Sequence, residues 1–118
     1  MTHKSEIKIQ VELGADRIPE KIVWDSSDSP ENQKPTECKA FILSLFDKEY
    51  KDTFRIDLWT KEMQVAEMDR FVYFTLKGIT ETYHKATQNN QLSNHLAQFT
   101  EFFGQESGIL PKEEDDAQ

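Results

Sequence analysis

The sequence predicts an α+β domain: a four-stranded antiparallel β-meander followed by two C-terminal α-helices packed on one face of the sheet. Two observations carry this expectation. Before Trp59 two runs have apolar residues at every second position: Ile7, Ile9, Val11 and Leu13, and Phe54, Ile56 and Leu58. After Met63 the spacing changes to three and four, through Met68, Phe71, Val72, Leu76, Ile79 and Tyr83. Short polar connections separate the apolar runs, which suits neighbouring antiparallel strands. A chain of 118 residues fits one domain, read here as 1–110 with an acidic tail, 111–118.

The elements follow in order. Residues 6–13 alternate, with Lys8, Gln10 and Glu12 on the wet side, so this strand is half-buried. Gly14-Ala15-Asp16-Arg17 is a turn in which Gly14 tolerates positive φ. A second strand spans about 19–25, with Ile22 and Trp24 inward and Val23 opposite. Pro19 lacks an amide hydrogen and belongs at its start or on an edge. The polar loop SSDSPENQKPT is expected to be mobile.

The third strand, about 37–46, is apolar on both sides. Ala40, Ile42 and Phe46 occupy one side, and Phe41, Leu43 and Leu45 the other. A strand of this kind is covered twice. DKEYKD, 47–52, is a charged hairpin connection, and the fourth strand carries Phe54, Ile56 and Leu58. The first helix spans about 65–86, with Thr60 or Glu62 as candidate caps. QNNQ at 88–91 interrupts it. The second helix, about 92–105, places Leu92, Leu96, Phe99 and Phe103 on one face. Gly104 and Gly108 stand near its end, where glycine is common. The tail PKEEDDAQ is too polar to join a core and is expected to be disordered.

Composition narrows the function. With 14 basic and 22 acidic residues the net charge is −8, and the lysines are scattered among acids. Nucleic acid and a bare anionic membrane surface are therefore poor partners. Cys38 is the only cysteine, so no internal disulfide forms and a reducing compartment fits. The N-terminus MTHKSEIKIQ has no apolar run of a secretory signal, and no stretch approaches the roughly 20 apolar residues of a membrane span. The protein reads as cytoplasmic, with no direct membrane insertion.

Catalytic chemistry is not apparent. His3, His84 and His95 show no metal-ligand spacing, and no metal or cofactor is expected. Cys38, in the apolar-rich strand 37–46, reads as a small core residue rather than a nucleophile. The carboxylates are spread over turns, wet faces and the tail, and the glycines stand alone. Arg55 and Asp57 lie two apart on one strand face, either as a same-face ion pair or as a polar contact at an interface. Tyr73 and Phe74 fall off the first helix's stripe, so one of them faces the second helix or a partner.

The runs SEIKIQVEL, IPEKIVWDSSD, FILSLFDKEYKD and KDTFRIDLWTKEM resemble the gliding-motility-associated GldC family over about residues 5–103. Glu62 stands where the resemblance leads one to expect Asp before the helix-start Met. The resemblance implies an accessory protein of the gliding-motility gene set, linked to type IX secretion, and not an enzyme. It carries over no catalytic residues. The architecture is also similar to the subunit of SecB-type export chaperones, whose subunits associate and hold unfolded chains; that likeness is analogy.

One geometric problem remains at this level. Two helices cover one sheet face, which leaves Phe41, Leu43 and Leu45, with Val23 and Trp59, without cover. Stems of Lys and Arg and Tyr50 offer partial shielding. A second subunit or partner protein is the simpler answer. The candidate partner-binding residues are thus Phe41, Leu43, Leu45, Arg55, Asp57 and Trp59. The expected partners are proteins of the gliding and secretion machinery and further copies of the chain; the alternative is a SecB-like holdase for exported substrates.

Overall fold

The computed structural model describes residues 2–28 and 35–112. The tail beyond Lys112 and most of the polar loop lie outside the described residues. The chain divides into two compact units, 1–63 and 64–118. The first is β throughout and the second is helical, so the α+β class holds, with both helices C-terminal.

The first unit contains β1 (Ile7–Leu13), β2 (Pro19–Ser26), β3 (Thr36–Cys38), β4 (Ala40–Phe46) and β5 (Thr53–Trp59). All pairings are antiparallel, in two sheets: β1-β2-β3 and β4-β5. The single third strand expected from the sequence is thus divided, and among the described residues five strands in two sheets replace the four-stranded meander. The chain bends at Lys39, between β3 and β4. β3 bonds to β2 and β4 bonds to β5, so one extended run changes its neighbour midway. Alternation reveals which face a side chain takes and not which strand its backbone meets, so it misses such a division.

In the first sheet Ile9 opposes Trp24 and Val11 opposes Ile22, while Cys38 opposes Ile22 from the other side. Directly opposed residues share a face. The apolar faces of β1 and β2 therefore coincide, as the alternation predicts, and Ile22 at their centre is fully buried. The turn differs in detail from expectation. Gly14 donates its N–H to the Ile18 carbonyl (3.0 Å), but the left-handed residue is Arg17 (φ 64°). Asp16 makes this possible: its Oδ1 accepts the Ile18 N–H at 3.0 Å and stands in for a backbone acceptor.

The hairpin between β4 and β5 is organised by Asp47. Its Oδ2 accepts the N–H groups of Glu49 (3.0 Å) and Tyr50 (2.7 Å), and its own N–H donates to Asp52 O (2.8 Å). Lys51 takes the left-handed conformation (φ 56°) that closes the loop. The ladder runs on beyond β5, where the Thr60 N–H donates to Lys39 O at 2.8 Å.

The second unit is a helical hairpin of α1 (Val65–Thr87) and α2 (Asn90–Glu106). The N-cap of α1 is Gln64, not Thr60 or Glu62. Its N–H donates to Glu67 Oε1 at 3.0 Å, the return arm of a capping box. Thr60 is instead held in the β ladder. Only Gln88 and Asn89 join the helices. Gln88 is left-handed (φ 57°) and donates to His84 O (2.8 Å), while Asn89 Oδ1 accepts the Leu92 N–H (3.0 Å). One side-chain amide acceptor thus starts α2 immediately after α1 stops.

The seam between the helices is built from small residues. On α2, Ser93, Thr100 and Gly104 are buried, spaced by seven and four. On α1 the buried residue is Tyr73. A Cβ at Gly104 would lie 2.7 Å from Tyr73 Cε1 and 2.7 Å from Leu110 Cδ1. Gly104 therefore belongs to the helix interior, where its missing side chain admits the tyrosine ring. The left-handed position after the helix is Gly108 (φ 84°). Of the two aromatics off the stripe, Tyr73 is the one that meets α2.

Candidate functional site

The six candidate residues do not share one surface. In the β4–β5 register Phe41 opposes Leu58, Leu43 opposes Ile56 and Leu45 opposes Phe54. These six apolar side chains form one continuous face of the hairpin. Arg55, Asp57 and Trp59 lie on the reverse, opposite Ser44, Ile42 and Ala40. Alternation alone groups Trp59 with Phe41, Leu43 and Leu45 and sets Phe54, Ile56 and Leu58 apart from them; the register reverses both assignments. The loop decides the matter: closing at Asp47 and Asp52 pairs Phe46 with Thr53, and every later pair follows.

The apolar face is only partly covered. Leu45, Phe54 and Ile56 are each more than half exposed, while Phe41, Leu43 and Leu58 are half-buried. The reverse face also exposes Phe46 and Trp59. Between them Arg55 Nε donates to Asp57 Oδ1 at 3.1 Å, with the guanidinium largely in solvent. A surface pair of this kind contributes roughly 0–1 kcal/mol to stability.

The helical unit carries a second apolar surface. At about 100° per residue, Met68, Val72, Leu76, Ile79 and Tyr83 on α1 lie to one side of the Tyr73 line. Leu92, Leu96, Phe99 and Phe103 on α2 flank the Ser93–Thr100–Gly104 line on the same side of the hairpin. Ile79, Leu92 and Phe99 are about half exposed. An open groove of about 320 Å³ is lined by Tyr73, Lys77, Thr80, Glu81, Thr100 and Glu101, among others. It mixes one cation with two carboxylates, and the Thr80 and Thr100 hydroxyls donate to Leu76 O (2.8 Å) and Leu96 O (2.7 Å).

Cys38 is half-buried, and burial pushes its thiol above the ordinary value, away from thiolate reactivity. His3 Nε2 and Asp28 Oδ1 are 3.2 Å apart on an exposed surface. Among the described residues no three His, Cys, Asp or Glu side chains come together as metal ligands. No helix among them is long and apolar enough to cross a membrane. Lys61 Nζ lies 2.7 Å from Asp16 Oδ2, tying the β1–β2 turn to the residues just after β5.

The fold and its surfaces define a class first: a small α+β chain that exposes apolar faces. The family model for gliding motility-associated GldC-like proteins matches residues 19–109. The chain belongs to this family. No curated protein and no solved structure matches it.

Proposed function

We propose that this chain is a non-enzymatic, cytoplasmic accessory protein of bacterial gliding motility that acts through protein contacts with the gliding and type IX secretion machinery. Membership of the gliding motility-associated family supports the process. The six-residue apolar face of β4–β5 supports the mode of action, because large side chains such as Phe54 and Ile56 stay more than half exposed. Contiguous exposed apolar surface on a small chain marks interaction sites. Leu43, near its middle, is the residue on which to test it.

Leu43→Asp is expected to abolish capture of envelope-associated motility proteins by the tagged chain after mild crosslinking in its own cells. The far-ultraviolet circular dichroism should stay unchanged. Equal capture by the folded variant would refute the surface.

A holdase for exported motility or secretion substrates is the second reading, favoured by the additional exposed aromatics Phe99 and Phe102 on the helical hairpin. It predicts that stoichiometric protein keeps an unfolded model client from aggregating. Light scattering unchanged by excess protein removes this reading and leaves the first intact.

A further inference from the structure

The outer edge of β5 is unpaired: among the described residues β4 is its only strand neighbour. The hydrogen bonds at both ends of the β4–β5 ladder fix which backbone groups face outward. Asp47 N–H donates to Asp52 O, and Thr60 N–H donates to Lys39 O. Bonding positions alternate along an antiparallel strand. Residues 54, 56 and 58 therefore turn their N–H and C=O toward β4, while Thr53, Arg55, Asp57 and Trp59 turn theirs outward. Proteins normally blunt such an edge with proline, a bulge, a very short strand or charges that repel a second copy; the two charges of β5, Arg55 and Asp57, are of opposite sign. β5, TFRIDLW, has no proline and no bulge and pairs over all seven of its residues with β4.

The order of side chains along β5 is complementary to its own reverse. Laid antiparallel about a two-fold axis at Ile56, Phe54 meets Leu58 of the second copy and Ile56 meets Ile56. Arg55 meets Asp57 and Asp57 meets Arg55. The outward backbone groups of Thr53, Arg55, Asp57 and Trp59 then fall at hydrogen-bonded pairs, and Ile56 falls at the non-bonded pair on the axis. Side-chain and backbone requirements thus agree on one register. Sliding the copy by two residues sets Arg55 against Arg55 or Asp57 against Asp57, so like charge disfavours the neighbouring registers.

We propose that two copies of this chain associate through β5 edges in this register, joining two hairpins into one four-stranded sheet β4-β5-β5-β4. The apolar faces of both hairpins become continuous, with Phe54, Ile56 and Leu58 at the centre. The Arg55–Asp57 pair within each strand, at 3.1 Å, exchanges partners across the axis. The proposal rests on the reading of the chain as one that works through protein contacts, and it names one of those contacts as a second copy.

Charge reversal tests it on the full chain by sedimentation equilibrium. The natural chain should be dimeric. R55D and D57R each place only like charges across the axis, so each should weaken self-association roughly tenfold or more. Mixing the two variants restores opposite charges across the axis while the pair within each strand stays broken, so the mixture should dimerise. A monomeric natural chain, single variants that remain dimers, or a mixture that stays monomeric would each overturn the proposal.

A second measurement covers the case of a misfolded variant. In a C38S background, I56C should form an intermolecular disulfide on mild oxidation, because non-bonded opposed residues lie about 4.5 Å apart at Cα. F54C should not, since its own copy lies far along the strand. Equal crosslinking of both, or of neither, would also overturn it. Capture of motility proteins is read separately, so loss of the dimer and loss of the proposed function are distinguishable.

Discussion

Two glycines inside helices have opposite roles, and single substitutions separate them. A Cβ at Gly78 in α1 would meet nothing within 4 Å beyond the helix's own backbone, so Gly78→Ala should gain helix propensity and stabilise by about 0.5–1 kcal/mol. At Gly104 the same methyl meets Tyr73 and Leu110 at 2.7 Å. Overpacking there costs roughly 1–3 kcal/mol and outweighs the propensity gain. Urea unfolding should show opposite shifts in midpoint; two shifts of the same sign would contradict the seam geometry. Asp16 offers a pH-dependent case. Lys61 and then the Ile18 N–H hold its carboxyl below the ordinary 3.8, and Asp16 in turn raises Lys61 above 10.5. The Asp16 contribution is present above 3.8 and is lost as pH falls through the lowered native value; that of Lys61 is present below 10.5 and lost as pH rises through its raised value. Asp16→Asn should therefore lower the urea midpoint slightly at neutral pH, and the difference should vanish in acid. A gap that persists at acid pH would assign the effect to the Asx turn alone.

At the scale of elements, the α1–α2 junction stands or falls on two residues. Gln88 holds a left-handed conformation that costs a side-chain-bearing residue about 1 kcal/mol. Gln88→Gly should raise the thermal midpoint, and Asn89→Ala should lower it through loss of about 1 kcal/mol of capping. The reverse order would show that the connection is not held by these caps. The sequence makes the elements readable because each exposes a periodic signal: the alternation of Ile7–Leu13 and the three-and-four spacing from Met68 to Tyr83 both match the structure. What it conceals is pairing. The small residues Ser93, Thr100 and Gly104 form the helix seam, yet a search for large apolar residues passes over them. The division at Lys39 and the shared face of Leu43 and Ile56 depend on which backbone groups meet, and periodicity within one strand carries no record of that. The hairpin's ends carry that information, since pairing Phe46 with Thr53 sets the face of every residue behind them.

For the whole molecule, net charge and topology set the expectations. Two chains of charge −8 repel at long range, whereas Arg55 and Asp57 would meet at short range. Raising ionic strength from about 0.01 M to 0.15 M shortens the screening length from roughly 30 Å to 8 Å. The β5-mediated dimer should therefore tighten over this range; a steady weakening would mean that the two ion pairs outweigh the global repulsion. The strand pairings and the helix pairing all join elements that are consecutive along the chain. The β4–β5 loop spans six residues and the α1–α2 connection only two. Little loop-closure entropy opposes any of these steps, and chains dominated by local contacts fold fast. Each hairpin can close as soon as its second arm leaves the ribosome. The exposed edge of β5 would then spend little time beside unfolded chain before α1, the next segment made, begins to coil.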